Sequence, residues 1–103
     1  MKILANDGIH LSGIKYLEEA GHQVDTTTVS QSQLAHYINE QQIEVVLVRS
    51  ATEIKEDIID QCPCIRIIGR GGVGMDNIAV DYALSKGIKV INTPDASKYL
   101  MPL

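Results

Sequence analysis

The sequence predicts an α/β domain: an open, parallel five-stranded sheet in the order 2-1-3-4-5, with helices on both faces. Three observations carry that prediction. Apolar runs alternate with amphipathic segments along the chain, as when parallel strands return through covering helices. The second run, Gln23-Val24-Asp25-Thr26-Thr27, holds one aliphatic residue and suits an edge with a wet face. The third, fourth and fifth runs are rich in Val and Ile and suit strands buried on both sides. Right-handed crossovers then leave few other orders.

The elements follow in turn. The first strand covers Lys2 to Ala5, and Ile14 and Leu17 mark the helix after it. Gly21 closes that helix, because glycine enters the positive-φ conformation of a helix end at little cost. The second strand covers Gln23 to Thr27. Ser30 and Gln33 have the spacing of a capping box at the head of the second helix, marked by Leu34, Tyr37 and Ile38. Val45 to Arg49 forms the third strand, and Ile54, Ile58 and Ile59 mark the third helix. Arg66 to Gly69 is the fourth strand. A fourth helix from about Val80 to Lys86, stopped by Gly87, leads into the last strand, Lys89 to Asn92. This is the flavodoxin-like arrangement of a doubly wound sheet.

A chain of 103 residues has room for one domain. Its net charge of −4 and scattered Lys and Arg residues argue against nucleic acid or an anionic membrane as partner. No apolar run reaches the roughly 18 residues of a membrane span, and the N-terminus enters a strand without a signal region. A cytoplasmic location is expected. Cys62 and Cys64 flank Pro63, but a zinc site would need two further ligands, and His10, His22 and His36 lie far upstream. They read as two reduced thiols, with no metal site expected.

In an open parallel sheet ligands sit beyond the C-terminal strand ends. Those tips read Asn6-Asp7-Gly8, Arg49-Ser50-Ala51-Thr52, Arg70 to Gly74 and Asn92-Thr93-Pro94. Gly69-Arg70-Gly71-Gly72-Val73-Gly74 matches the dinucleotide fingerprint G-x-G-x-x-G, yet its place is wrong for one. Such a fingerprint opens a nucleotide domain, with a helix starting inside it and more strands to follow. Here one strand follows, and helical spacing resumes only near Val80, Ala83 and Leu84. The motif therefore reads as a ligand-facing glycine loop. Its backbone amides can form an anion nest, and the forked guanidinium groups of Arg49 and Arg70 suit carboxylate or phosphate. A small anionic substrate is expected.

The plainer reading is that strand-to-helix turns use Gly, Ser, Thr and Asn for backbone reasons alone. Asp7 reads as a turn former, and Asp76 and Asn77 as turn residues bonded to their own backbone. Two functions of this fold fare poorly at the same tips. A phospho-receiver domain needs an acceptor Asp after the third strand and a Lys after the fifth, where this chain has Arg49-Ser50 and Asn92-Thr93. A flavodoxin needs a hydroxyl-rich loop after the first strand, where Asn6-Asp7-Gly8-Ile9-His10 stands, and the chain has no Trp.

Val48-Arg49-Ser50-Ala51-Thr52, the run Ile68 to Ile78 and Lys86-Gly87-Ile88-Lys89-Val90-Ile91-Asn92-Thr93-Pro94 closely resemble the NAD-dependent D-2-hydroxyacid dehydrogenases. Their order and spacing are kept over nearly the whole chain to Pro94. The resemblance implies that residues 1–94 are the N-terminal part of a substrate-binding domain and 95–103 the beginning of a hinge, with the nucleotide-binding domain absent. It implies a parent oxidoreductase that moves hydride between NAD and a small anionic 2-hydroxy acid. The expected substrate is 3-phosphoglycerate, oxidised to 3-phosphohydroxypyruvate in serine biosynthesis.

Carried over by position, Arg49, Ser50 and Arg70 line the substrate pocket, and Gly72, Val73 and Gly74 hold the carboxylate through backbone amides. Val73 also lies against the nicotinamide end of NAD. The family's catalytic residues lie downstream, so none is expected here and the chain alone is expected to be inactive. Ala79 stands where the family usually places an Asp, so the fourth helix lacks a cap at a cost of about 1 kcal/mol. A returning segment covers one sheet face in the family, and its absence here implies self-association. Two other readings stay open: a stand-alone small-anion binding module, and the substrate domain of another D-2-hydroxyacid dehydrogenase.

Overall fold

A computed structural model of the chain describes residues 1–7, 11–49, 51–71 and 77–93. The elements are β1 (Lys2–Ala5), α1 (Leu11–Glu19), β2 (Gln23–Asp25), α2 (Leu34–Gln41), β3 (Val45–Val48), α3 (Glu56–Gln61), β4 (Ile67–Gly71), α4 (Val80–Ser85) and β5 (Lys89–Thr93). The sheet runs β2-β1-β3-β4-β5 with every pair parallel. Both the order and the direction match the sequence expectation.

The strand ends differ from it for identifiable reasons. β2 stops at Asp25, two residues early, because the Thr27 amide donates to Asp25 Oδ1 at 2.9 Å and turns the chain off the edge. β3 stops at Val48, since the Arg49 amide donates to a side chain of the β1 tip rather than to a neighbouring strand. β4 starts at Ile67 and runs on to Gly71, because Asn92 and Thr93 of β5 stay in register with Arg70 and Gly71. The ladder outweighs the weak strand preference of glycine.

Helix signals were uneven. Gly21 and Gly87 follow α1 and α4 at φ 95° and 83°, the conformation for which glycine is suited. The capping box is not formed. Ser30 makes no side-chain bond to the helix, and residues Gln31–Gln33 form a 3-10 turn ahead of α2. That turn is instead pinned by Gln31, whose amide donates to the Glu53 carbonyl at 2.8 Å and accepts from the Glu53 amide at 2.9 Å. Ile54 lies outside α3, in a two-residue parallel bridge to Ile78: Ile54 N donates to Asn77 O at 2.8 Å and Ala79 N donates to Ile54 O at 2.9 Å. α4 begins after Ala79 with no side-chain cap, as its sequence implied.

Strand alternation sends side chains to two cores. Leu4, Val46, Val48 and Ile68 meet Leu34 and Ile38 of α2, Ile58 and Ile59 of α3 and Ala83 of α4. On the other face Ile3, Ala5, Val45 and Leu47 meet Leu17 of α1, with Val24, Ile67 and Ile91 only partly buried beside them. Among the described residues, three helices therefore cover one face and one helix the other.

Cys62 and Cys64 are free thiols at the foot of the α2 face. Cys62 is fully buried, with its sulfur 3.6 Å from the Ala35 carbonyl. Burial, with a smaller contribution from Cys64, pushes its thiol up to about 11. Among the described residues no group of His, Cys, Asp and Glu is placed to hold a metal, and no helix is long and apolar enough to cross a membrane.

Candidate functional site

The register of β3 and β4 places the two arginines. Val48 is opposite Arg70, so Arg49 stands one residue further out along the neighbouring strand, and both reach the C-terminal rim. Arg49 is exposed and Arg70 half-buried. Ser50 and the loop residues Gly72, Val73 and Gly74 lie outside the described residues. Gly71 is the last residue of β4 rather than part of a loop, and α4 starts only at Val80, well past the glycine motif. Among the described residues, Asn77 to Ala79 are not helical and the next helix is α4, so no described helix opens at the motif as a pyrophosphate site would require.

Around the arginines lies a polar network that the sequence reading treated as local turn chemistry. The Asp7 carboxylate, at the tip of β1, accepts from the Arg49 amide at 2.7 Å, the Thr52 amide at 3.1 Å and the Thr52 hydroxyl at 2.5 Å. Asn77, between β4 and α4, donates from Nδ2 to the Arg49 carbonyl at 2.5 Å and the Thr52 carbonyl at 2.7 Å. Its Oδ1 accepts from Arg70 Nε at 2.8 Å. Asn77 thus bridges three segments rather than bonding its own backbone. Asp7 likewise closes a contact across 42 residues of sequence as well as standing in a turn. Asp76 lies outside the described residues.

Asn6 completes the network from below. Its Nδ2 donates to the Thr52 hydroxyl at 2.9 Å and the Val29 carbonyl at 3.0 Å, and its Oδ1 accepts from the Val29 amide at 2.7 Å. Among the described residues the buried polar side chains are Asn6, Thr52 and Asn77, and all three belong here. Each has its partners, which is the condition under which burying an amide or hydroxyl is tolerated. Asn6 and Thr52 were visible as strand-tip residues. Asn77 carried no signal that separates a turn former from a tertiary bridge.

The arrangement is a hydrogen-bonded frame that carries two guanidinium groups at the ends of adjacent strands. A separate concavity of about 280 Å³ lies at the opposite end of the sheet, lined by Ile59, Asp60, Cys62, Pro63 and Lys86 among others. Its lining residues lead into the N-terminal ends of β4 and β5, which are not where open α/β sheets take ligands.

Known proteins resemble the chain over most of its length. The family model described as D-isomer specific 2-hydroxyacid dehydrogenase, catalytic domain, matches residues 3–100. D-3-phosphoglycerate dehydrogenase of Methanocaldococcus jannaschii is 42% identical over 97 residues, which is 94% of this chain and 18% of that protein. Hydroxypyruvate reductase of Thermotoga maritima is 52% identical over 56 residues, 54% of this chain and 18% of that protein. A crystal structure of NAD+-bound 3-phosphoglycerate dehydrogenase from Entamoeba histolytica superposes with a TM-score of 0.72 at 29% identity, covering 89% of this chain and 32% of that one. The chain thus spans less than a fifth of the length of these curated relatives.

Proposed function

The chain belongs to the D-isomer specific 2-hydroxyacid dehydrogenases, and from that premise we propose that it forms the substrate-holding part of a cytoplasmic, NAD-dependent enzyme that oxidises 3-phosphoglycerate to 3-phosphohydroxypyruvate. Residues 1–94 are its N-terminal substrate-binding portion and 95–103 the approach to a hinge. The observation that carries the reading is the pairing of Arg49 and Arg70 at the tips of adjacent strands, in a chain 42% identical to a phosphoglycerate dehydrogenase.

NAD, when bound, supplies the hydride acceptor, and Val73 is the residue of this chain assigned to its nicotinamide end. The chain's own work is to grip the substrate. Arg49, Ser50 and Arg70 neutralise its phosphate and carboxylate, and the amides of Gly72, Val73 and Gly74 hold the carboxylate end. Orientation of this kind converts binding energy into a positioned carbon-bound hydrogen. No general acid or base is assigned to these residues, so the chain by itself is inactive. The sheet face bearing Ile67 and Ile91 then supports pairing of two copies of this chain in isolation.

A second reading is a related substrate domain for a 2-hydroxy acid without phosphate, favoured by the 52% identity to hydroxypyruvate reductase. Amide chemical shifts of the chain titrated with 3-phosphoglycerate and, separately, with glycerate decide between them. The expected result is movement at Arg49 to Thr52 and Gly69 to Asn77 with 3-phosphoglycerate, at a Kd no tighter than about 1 mM, or −4 kcal/mol. Arg49→Ala or Arg70→Ala weakens it. Equal response to glycerate selects the second reading, and no response to either removes both. Added NAD should yield no NADH, and turnover would overturn the inactive-chain assignment.

A further inference from the structure

The hydrogen bonds around the β3–α3 connection divide by direction. Asp7, which can only accept, takes the peptide N–H groups of residues 49 and 52. Asn77, through the two hydrogens of one amide nitrogen, takes the carbonyls of the same two residues. Both peptide groups of Arg49 and of Thr52 that face the rim are thereby gripped from opposite sides, by the β1 tip and by the segment ahead of α4. The remaining oxygen of the Asn77 amide holds Arg70 by its Nε.

We propose that Asp7 and Asn77 are positioning residues that fix the 49–52 loop, and with it the separation of Arg49 and Arg70, so that the rim meets its anion already formed. This rests on the anion-binding reading above. Asn77 is suited to the task because its primary amide donates twice toward the loop and accepts once from an arginine. Aspartate in its place has the same shape but no hydrogens to give, and sets a carboxylate against two carbonyls. At the other side Asp7→Ala removes the acceptor of all three bonds at once, whereas Asp7→Asn keeps both N–H bonds when its Oδ1 stands in the place of Oδ2. Neither residue is required to touch the ligand, and their effect passes through the two arginines. Neither stands alone, since Ile54 and Ile78 tie the same two connections through their backbones just beyond.

Hydrogen exchange and ligand titration of the 103-residue chain with Asn77→Asp and Asp7→Ala test this. In each variant the Arg49 and Thr52 amides should exchange at least about tenfold faster while Val46, in the middle of β3, keeps its rate, and affinity of the folded fraction for 3-phosphoglycerate should fall by about tenfold. Asn77→Ala, which removes the bonds without adding charge, serves if Asn77→Asp does not fold. Unchanged loop exchange, or acceleration by one common factor along the whole sheet, overturns the proposal, because the network would then be ordinary structural support. Loop exchange that rises with no loss of affinity also overturns it. If the unaltered chain ignores 3-phosphoglycerate, the anion reading falls while exchange still decides whether the two residues hold the loop.

Discussion

The two faces of the sheet are made from the same alternating strands and are finished differently. Toward α2, α3 and α4 the side chains of Leu4, Val46, Val48 and Ile68 are at most 2% exposed. Toward α1 the centre is as dry, with Ile3, Ala5 and Val45 fully buried, but the flank formed by Ile67 and Ile91 is only partly covered. The polar frame belongs to neither face, since Arg70 follows Ile68 at the strand period whereas Arg49 follows Leu47 and Asp7 follows Ala5 of the α1 side. The faces thus differ in how completely their apolar side chains are covered, and the rim is shared between them.

Adjacent residues of β4 give the sharpest measure of that difference. Ile68→Ala should cost about 3 to 4 kcal/mol, the toll of a cavity in a fully packed site. Ile67→Ala, the same deletion one residue earlier and on the other face, should cost about 1 to 2 kcal/mol. Urea titrations of the two variants check this, and equal losses would mean the α1 flank is as closed as its opposite.

A second effect tests what that flank does. The isolated chain should scatter light as a species heavier than the monomer across a dilution series, and Ile91→Asp should shift it to monomer. A sharp monomer before substitution removes the pairing.

The smallest effect is at the seam between the closed face and the edge strand. Partial burial raises the Asp25 carboxyl, but donation from the Tyr37 hydroxyl and from Thr27, with Lys2 nearby, lowers it on balance below its ordinary value. A lowered folded-state value adds stability above the unfolded pKa near 3.9, and that stability is lost as pH falls through the folded value. Tyr37→Phe should therefore cost under about 1 kcal/mol at pH 7, after allowance for solvent screening, and flatten the fall in stability below pH 4. Thermal melts at pH 7 and pH 3 read both, and an unchanged acid slope would remove Asp25 from the account.

The faces and strand order were legible in the sequence because side-chain alternation and edge polarity are properties of single segments. Val24 alone among polar neighbours marked β2 as an edge, and that needed no partner. The ends of strands were less legible. Gly71 extends β4 only because Thr93 is there to pair with it, and Thr27 leaves β2 because Asp25 captures its amide. The site divided in the same way. Arg49 and Arg70 announced themselves by chemistry, whereas Asp7 and Asn77 have the composition of any turn, and their work lies in bonds to residues 42 and 28 positions away. Ser30 and Gln33 show the converse, a correct local spacing displaced by the tertiary pair of Gln31 with Glu53.

Cys62 makes the closed face open to a clock. With its thiol pushed up to about 11, only about one molecule in a thousand carries the reactive thiolate at pH 8, and the sulfur is sealed beneath the Ala35 carbonyl of α2. Alkylation must then wait for the packing around the sulfur to open, at α2 or at the concavity that Cys62 helps to line, which would return the thiol toward its ordinary acidity and admit the reagent in one event. The rate at which Cys62 is labelled therefore counts such openings, and the partly exposed Cys64, two residues on in the same chain, times the reagent itself.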